Sequence, residues 1–262
     1  MKYQILLIAF LIVTTTIAQN SQNDSLTIEK IFDGHTGAFV LFNMQSKEYL
    51  RYNRARCAKR FLPASTFKIP NSLIGLETGV IPDENFVFKW DGVKRENEEW
   101  NKDHTLATAI KFSVVPYYQE LARRVGRDRF SGYLERINYG NKTIGEEIDT
   151  FWLDNSLKIS ADEQIDFLKR FFEYKLPFSE RSINIVKKIL PEEKYPNSLL
   201  KFKTGAGTKE DGKWLGWIVG YIEKKSNVYL FALNIEAKTY GEARELRDNI
   251  SRKILTRLKI IE

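Results

Sequence analysis

The sequence predicts an α+β fold: an antiparallel sheet formed by both chain ends, flanked by helices, with a mainly helical second lobe. Strand-like segments cluster near the two ends, helical spacing fills the middle, and an amphipathic helix closes the chain. Alternating βαβ units would spread their strands evenly, so this segregation points away from a parallel sheet.

Taken in order, Gly37 to Met44 and Glu48 to Tyr52 read as two strands around Gln45-Ser46-Lys47. Ser160-Ala161-Asp162-Glu163 has capping-box form, a hydroxyl followed three places later by a carboxylate, and predicts a helix through Phe167, Phe171 and Phe172. Trp214 to Ile222 and Val228 to Ile235 form a second hairpin-like pair. Ala243, Leu246, Ile250, Ile254 and Leu258 recur at intervals of three and four, the spacing of one helix face. No internal repeat, low-complexity stretch or long linker interrupts the pattern.

The 262 residues are enough for one domain with a sizeable core, and 34 aromatic residues (5 Trp, 12 Tyr, 17 Phe) need a packed interior or a binding face. With 43% apolar residues the composition excludes disorder, coiled coil and collagen. Cys57 is the single cysteine, so no intrachain disulfide forms, and it reads as a small buried residue. With only His35 and His104 beside it, a structural zinc site of four N/S ligands has too few candidates. A Ser-His-Asp triad is arithmetically possible, but no G-x-S-x-G elbow occurs.

The formal charge of +7 comes from 41 Lys+Arg against 34 Asp+Glu. These cations are scattered, as in Arg123-Arg124 and Lys187-Lys188, without the basic stripe or aromatic-interleaved motif of a nucleic-acid binder. Such a surface still attracts a small anionic substrate. At the N-terminus, Lys2 precedes the apolar run Ile5 to Val13, and Thr16-Ile17-Ala18 ends in a small residue before Gln19. That predicts a signal peptide over residues 1–18 and a single domain over 19–262. The run is far shorter than the roughly 20 residues that span a bilayer, so no membrane anchor is expected.

Chemistry concentrates in Pro63-Ala64-Ser65-Thr66-Phe67-Lys68, where a serine and a lysine stand three apart. On a helix that spacing places both on one face, and a helix start at Ser65 favours developing negative charge. Pro70 removes a donor that would reach the Thr66 carbonyl, so the helix must begin close to Ser65 or bend. Ser198-Leu199-Leu200-Lys201 fits the same spacing and reads as the start of a strand without a role. The first match has ordered company: Ser113-Val114-Val115, Tyr139-Gly140-Asn141, Trp152-Leu153-Asp154-Asn155-Ser156 and Lys203-Thr204-Gly205. Gly207 to Lys213 nearly matches a phosphate-binding loop, but Trp214 replaces the required Ser/Thr, and the segment reads as a hairpin turn.

A serine with a lysine beside it and a downstream K-T-G strand are the parts of the penicillin-recognising serine acyl-transferases. With S-V-V in place of S-D-N, and with Tyr-Gly-Asn, the chain closely resembles the class D (oxacillinase-type) serine β-lactamases over about residues 30 to 260. The resemblance implies that Ser65 is the nucleophile and that Lys68 takes up CO2 as an N-carboxylated general base, with no metal or organic cofactor. For that, burial among Phe67, Val115 and Leu153 must lower an amine pKa of about 10.4. It also implies that Trp152 donates its indole N–H to the carbamate and that Ser113 and Lys203 relay a proton to the departing lactam nitrogen. The N–H groups of Ser65 and Ala206 then form the oxyanion hole. Thr204, Gly205 and Arg247 join Val115 and Ala206 in binding the substrate, with Arg244 a competitor for Arg247 as partner of its carboxylate. The expected function is β-lactam hydrolysis in the periplasm. A cell-wall transpeptidase or carboxypeptidase and a non-enzymatic β-lactam sensor are the rival readings.

Overall fold

The computed structural model describes residues 27–262; the expected signal peptide and the expected domain start at residue 19 lie outside them. Six strands form one antiparallel sheet in the order β2-β1-β8-β7-β6-β5, where β1 is Gly37–Asn43, β2 Tyr49–Tyr52, β5 Glu192–Tyr195, β6 Ser198–Thr208, β7 Trp214–Lys224 and β8 Asn227–Ala237. The two chain ends meet where β1 pairs with β8, Phe39 opposite Leu233, as the sequence predicts. A second sheet consists only of β3 (Val87–Phe88) and β4 (His104–Thr105). These two and β5 carry too few residues to show alternation, and the sequence did not reveal them.

Both faces of the large sheet are covered. Phe39, Leu41, Ile218, Phe231 and Leu233 share one core with α9 (Tyr240–Arg257) and the helical residues 27–32, α1. Ala38, Val40, Phe42, Trp217 and Val219 point the other way, into a core shared with the helical lobe. That is why β7 and β8 read as nearly continuous apolar runs, because each side of the pleat is dry.

The remaining helices are α2 (Arg54–Ala58), α3 (Lys68–Glu77), α4 (Leu106–Lys111), α5 (Val115–Val125), α6 (Arg127–Ile137), α7 (Ala161–Phe172) and α8 (Glu180–Ile189). The capping box predicted for α7 is formed: Ser160 accepts from the Glu163 N–H, and Glu163 accepts from the Ser160 N–H. At the end of α6, Asn138 adopts a left-handed conformation (φ 48°) that stops the helix. Cys57 is buried, its Sγ donating toward the Tyr52 and Phe39 carbonyls, and burial pushes its thiol up to about 12. Among the described residues, no helix is long and apolar enough to cross a membrane.

Candidate active site

The site forms where the helical lobe meets β6. Ser65 lies in a 3-10 turn, Ala64–Phe67, and α3 begins at Lys68. In a 3-10 turn residues three apart eclipse each other, so the serine and lysine are brought closer than an α-helix would bring them. Lys68 Nζ donates to Ser65 Oγ at 2.6 Å. Pro70 is the third residue of α3, where a missing N–H leaves no intrahelical bond unmade. The expected conflict therefore resolves by an α-helix that starts three residues after the serine.

Lys68 is fully buried, 5.3 Å from the centre of the Tyr118 ring. Ser72 donates to the Lys68 carbonyl, and the Tyr118 hydroxyl lies 2.9 Å from Ser72 Oγ. Burial pushes the Lys68 amine well below the usual lysine range, and the neighbouring charge of Lys203 adds to the shift. Of the three apolar residues expected to desolvate it, Phe67 is fully buried, while Val115 and Leu153 are only half-buried. Val115 opens α5, and Val114 before it is the residue that turns inward.

Lys203 Nζ donates to Ser113 Oγ at 3.1 Å and to the Thr204 carbonyl at 2.9 Å. Burial, with Arg247 nearby, lowers the Lys203 amine to about 7, so both of its protonation states are accessible at neutral pH. Ser113 itself is held at φ 56° and Ala64 at φ 47°, left-handed conformations that cost such residues on the order of 1–3 kcal/mol. Strain thus sits at Ser113 itself and at the residue directly before Ser65. β5 pairs with β6 only as far as Lys201, which frees the following edge of β6 to face the serine turn. A Cβ on Gly205 would meet Pro63 O and Ser65 N at 3.1 Å, which shows how closely the strand and turn approach.

Trp152 is fully buried, stacked on Phe67 with ring centroids 5.7 Å apart. Its carbonyl accepts from the Ala64 N–H at 3.1 Å, but its indole N–H finds no partner. Both polar atoms of the buried Asn71 side chain, one turn after Lys68, are likewise unpartnered. Buried polar groups without partners are rare and mark a place where something polar belongs.

The comparisons with known proteins agree with this geometry. The penicillin binding protein transpeptidase domain family matches residues 19–256. The chain is 46% identical over 225 residues to β-lactamase OXA-48 of Klebsiella pneumoniae, covering 86% of this chain and 84% of that one. The chain belongs to the class D β-lactamases. This class D serine β-lactamase is also similar to the crystal structure of the class D enzyme FUS-1 (OXA-85) from Fusobacterium nucleatum subsp. polymorphum, with a TM-score of 0.87 and 39% identity, covering 90% and 99% of the two chains. The regulatory protein BlaR1 of Bacillus licheniformis is 37% identical over 203 residues, 78% of this chain but 34% of that protein.

In this β-lactamase Arg247 and Arg244 occupy different environments. Arg247 is 7% exposed and donates to the Gly205 carbonyl at 2.8 Å, whereas Arg244 is exposed and stacks over Tyr240. The Tyr-Gly-Asn triplet braces the segment that carries Trp152. Asn141 accepts from the Lys158 N–H at 2.8 Å and donates to the Ser156 carbonyl at 2.7 Å. Gly140 (φ 57°) passes so close to the Lys158 carbonyl that no Cβ fits. The second Ser-x-x-Lys match, Ser198 to Lys201, lies at the start of β6, where residues three apart point to opposite faces. The phosphate-loop look-alike is the β6–β7 turn, closed by Lys209 N donating to the Lys213 carbonyl. Sequence reasoning missed Asn71 altogether; its position one helical turn beyond Lys68 was the available signal.

Proposed function

We propose that this enzyme opens β-lactams through an ester on Ser65 and that Lys68 works as its N-carboxylate. The observation that carries the reading is a buried, unpartnered Trp152 indole donor in the same core as a buried lysine pushed toward its neutral form. A neutral amine can add CO2, whereas an ammonium cannot, and a buried carboxylate needs donors such as Trp152 Nε1 and Asn71 Nδ2. Carried on Lys68, the carboxylate would supply an anionic general base for the Ser65 hydroxyl and later for water.

Ser65 Oγ bonds to the lactam carbonyl carbon as its proton leaves, and the N–H groups of Ser65 and Ala206 receive the developing oxyanion. The C–N bond then breaks, and the nitrogen takes a proton through Ser113 from Lys203, whose pKa near 7 suits it to give and regain one. Water adds to the ester carbonyl as it gives a proton to the general base, the bond between the carbonyl carbon and Ser65 Oγ then breaks, and Oγ takes a proton back to restore the hydroxyl. Thr204 and Arg247 bind the substrate carboxylate, Arg247 by a charge-assisted contact, with Gly205 and Val115 shaping the cleft. Residues 1–18 direct export to the periplasm and leave 19–262 as one domain; N-terminal sequencing of the exported protein is expected to begin at Gln19.

Intact-protein mass after mixing with a penicillin tests the reading. A transient adduct that disappears and is absent from Ser65→Ala is expected. A persistent adduct would place the chain with the cell-wall transpeptidases and carboxypeptidases or with non-enzymatic β-lactam sensors.

A further inference from the structure

Gln164 has no role in the scheme above, yet its amide reaches the turn that holds the nucleophile. It lies on α7, 1% exposed, and its Nε2 donates to Thr66 Oγ1 at 3.0 Å. Thr66 Oγ1 in turn donates to the Pro63 carbonyl at 2.7 Å, and the Thr66 N–H points to that same carbonyl at 3.2 Å. The Tyr139 hydroxyl is fully buried and makes no hydrogen bond, so Gln164 supplies the donor that reaches Thr66 Oγ1.

The segments on either side of this contact are tied together. Arg60 forks onto Glu163, one residue before Gln164, with Nε 3.0 Å from each carboxylate oxygen. The Phe61 and Ile159 backbones exchange hydrogen bonds at 2.9 and 2.8 Å, fixing the start of α7 to the segment that leads into Ser65. A buried amide is unfavourable unless bonded, and an apolar side chain would fill the same space without that penalty. The amide does what an apolar residue cannot: by donating to Thr66 it obliges the Thr66 hydroxyl to turn its own proton to Pro63. That closes the turn in which Ala64 is held left-handed and the Ser65 N–H is presented toward β6.

We infer that Gln164 is a positioning residue for acylation, setting the Pro63–Thr66 turn so that the free Ser65 hydroxyl is aimed at the lactam carbonyl. The inference rests on the assignment of Ser65 as nucleophile. It separates the two halves of the reaction. Attack on the lactam needs Oγ placed as a free nucleophile, while ester hydrolysis starts with that oxygen already tied to the substrate and depends more on the base and its water.

Rapid-quench mass spectrometry with a penicillin, on Gln164→Met, Gln164→Glu and Ser65→Ala, gives the acylation and deacylation rates separately. Gln164→Met is expected to acylate about tenfold more slowly, with deacylation within about twofold of the parent. Gln164→Glu cannot donate as a carboxylate and draws the Thr66 proton away from Pro63. Its acylation deficit relative to the parent is expected to shrink as pH falls and the buried carboxyl gains a proton to donate. Acylation at the parent rate in Gln164→Met, or a common fall in both steps, overturns the inference. If Gln164→Met does not fold, a deficit in Gln164→Glu that ignores pH overturns it. An adduct on Ser65→Ala would instead overturn the nucleophile assignment.

Discussion

Replacing Trp152 with phenylalanine keeps an aromatic ring against Phe67 and removes one hydrogen-bond donor. In the structure that donor is fully buried and bonded to nothing, which costs on the order of 1–3 kcal/mol without a carboxylated lysine to receive it. The smaller ring forfeits packing against Phe67 and Phe151, a loss of similar size and opposite sign. The stability of the uncarboxylated protein should therefore change little. Loss of a bond to a charged acceptor, about 1.5–3 kcal/mol, should weaken CO2 uptake by roughly 10- to 150-fold. Steady-state hydrolysis of a penicillin, titrated with bicarbonate, reads this directly. The variant should show a burst followed by slow turnover at ambient CO2, and its rate should climb with bicarbonate well beyond the point where the parent saturates. Equal half-saturation by bicarbonate in the two proteins would refute the role assigned to the indole.

Other perturbations give equally definite outcomes. Lys203 is fully buried with its amine lowered to about 7, below the unfolded value of about 10.4. The stability it contributes is present above the unfolded pKa and is lost as pH falls toward 7. Thermal unfolding should therefore show the parent gaining about 2 kcal/mol relative to Lys203→Met between pH 7 and 9, and parallel curves would contradict the shift. Glu77 accepts from the Ser179 N–H, Ser179 Oγ and Ser182 Oγ at 2.7 to 3.0 Å. Burial opposes its charge, but those bonds outweigh it and hold the carboxyl below the usual range. Glu77→Gln should cost about 1–2 kcal/mol at pH 7 by chemical denaturation, and the difference should fade as pH drops through the depressed pKa. Gly140→Ala drives a Cβ into the Lys158 carbonyl and should lower the melting temperature by several degrees and slow hydrolysis through Trp152. An unchanged melting temperature would show that the bracing segment yields freely.

Much of this architecture is legible from local chemistry. The Ser160–Glu163 capping box, the three-and-four spacing of α9 and the strand pairs at both ends depend on neighbours in sequence, and each appears where expected. The Ser65–Lys68 pair was legible because three residues span one turn, whether that turn is 3-10 or α. What the sequence concealed is long-range. Gln164 meets Thr66 across 98 residues and Asn141 meets Lys158 across 17, and neither pairing leaves a local pattern. Nor did apolar character reveal orientation: Val114 and Val115 are chemically identical neighbours, and only the N-terminus of α5 decides which turns inward.

The central claim is that Lys68 holds CO2 covalently. Carbon-13 NMR of the protein equilibrated with labelled bicarbonate tests it most directly. One bound resonance is expected, lost in Lys68→Ala and weakening, together with hydrolysis, as acid returns the amine to its ammonium form. No bound resonance, with hydrolysis indifferent to removal of CO2, would contradict the account.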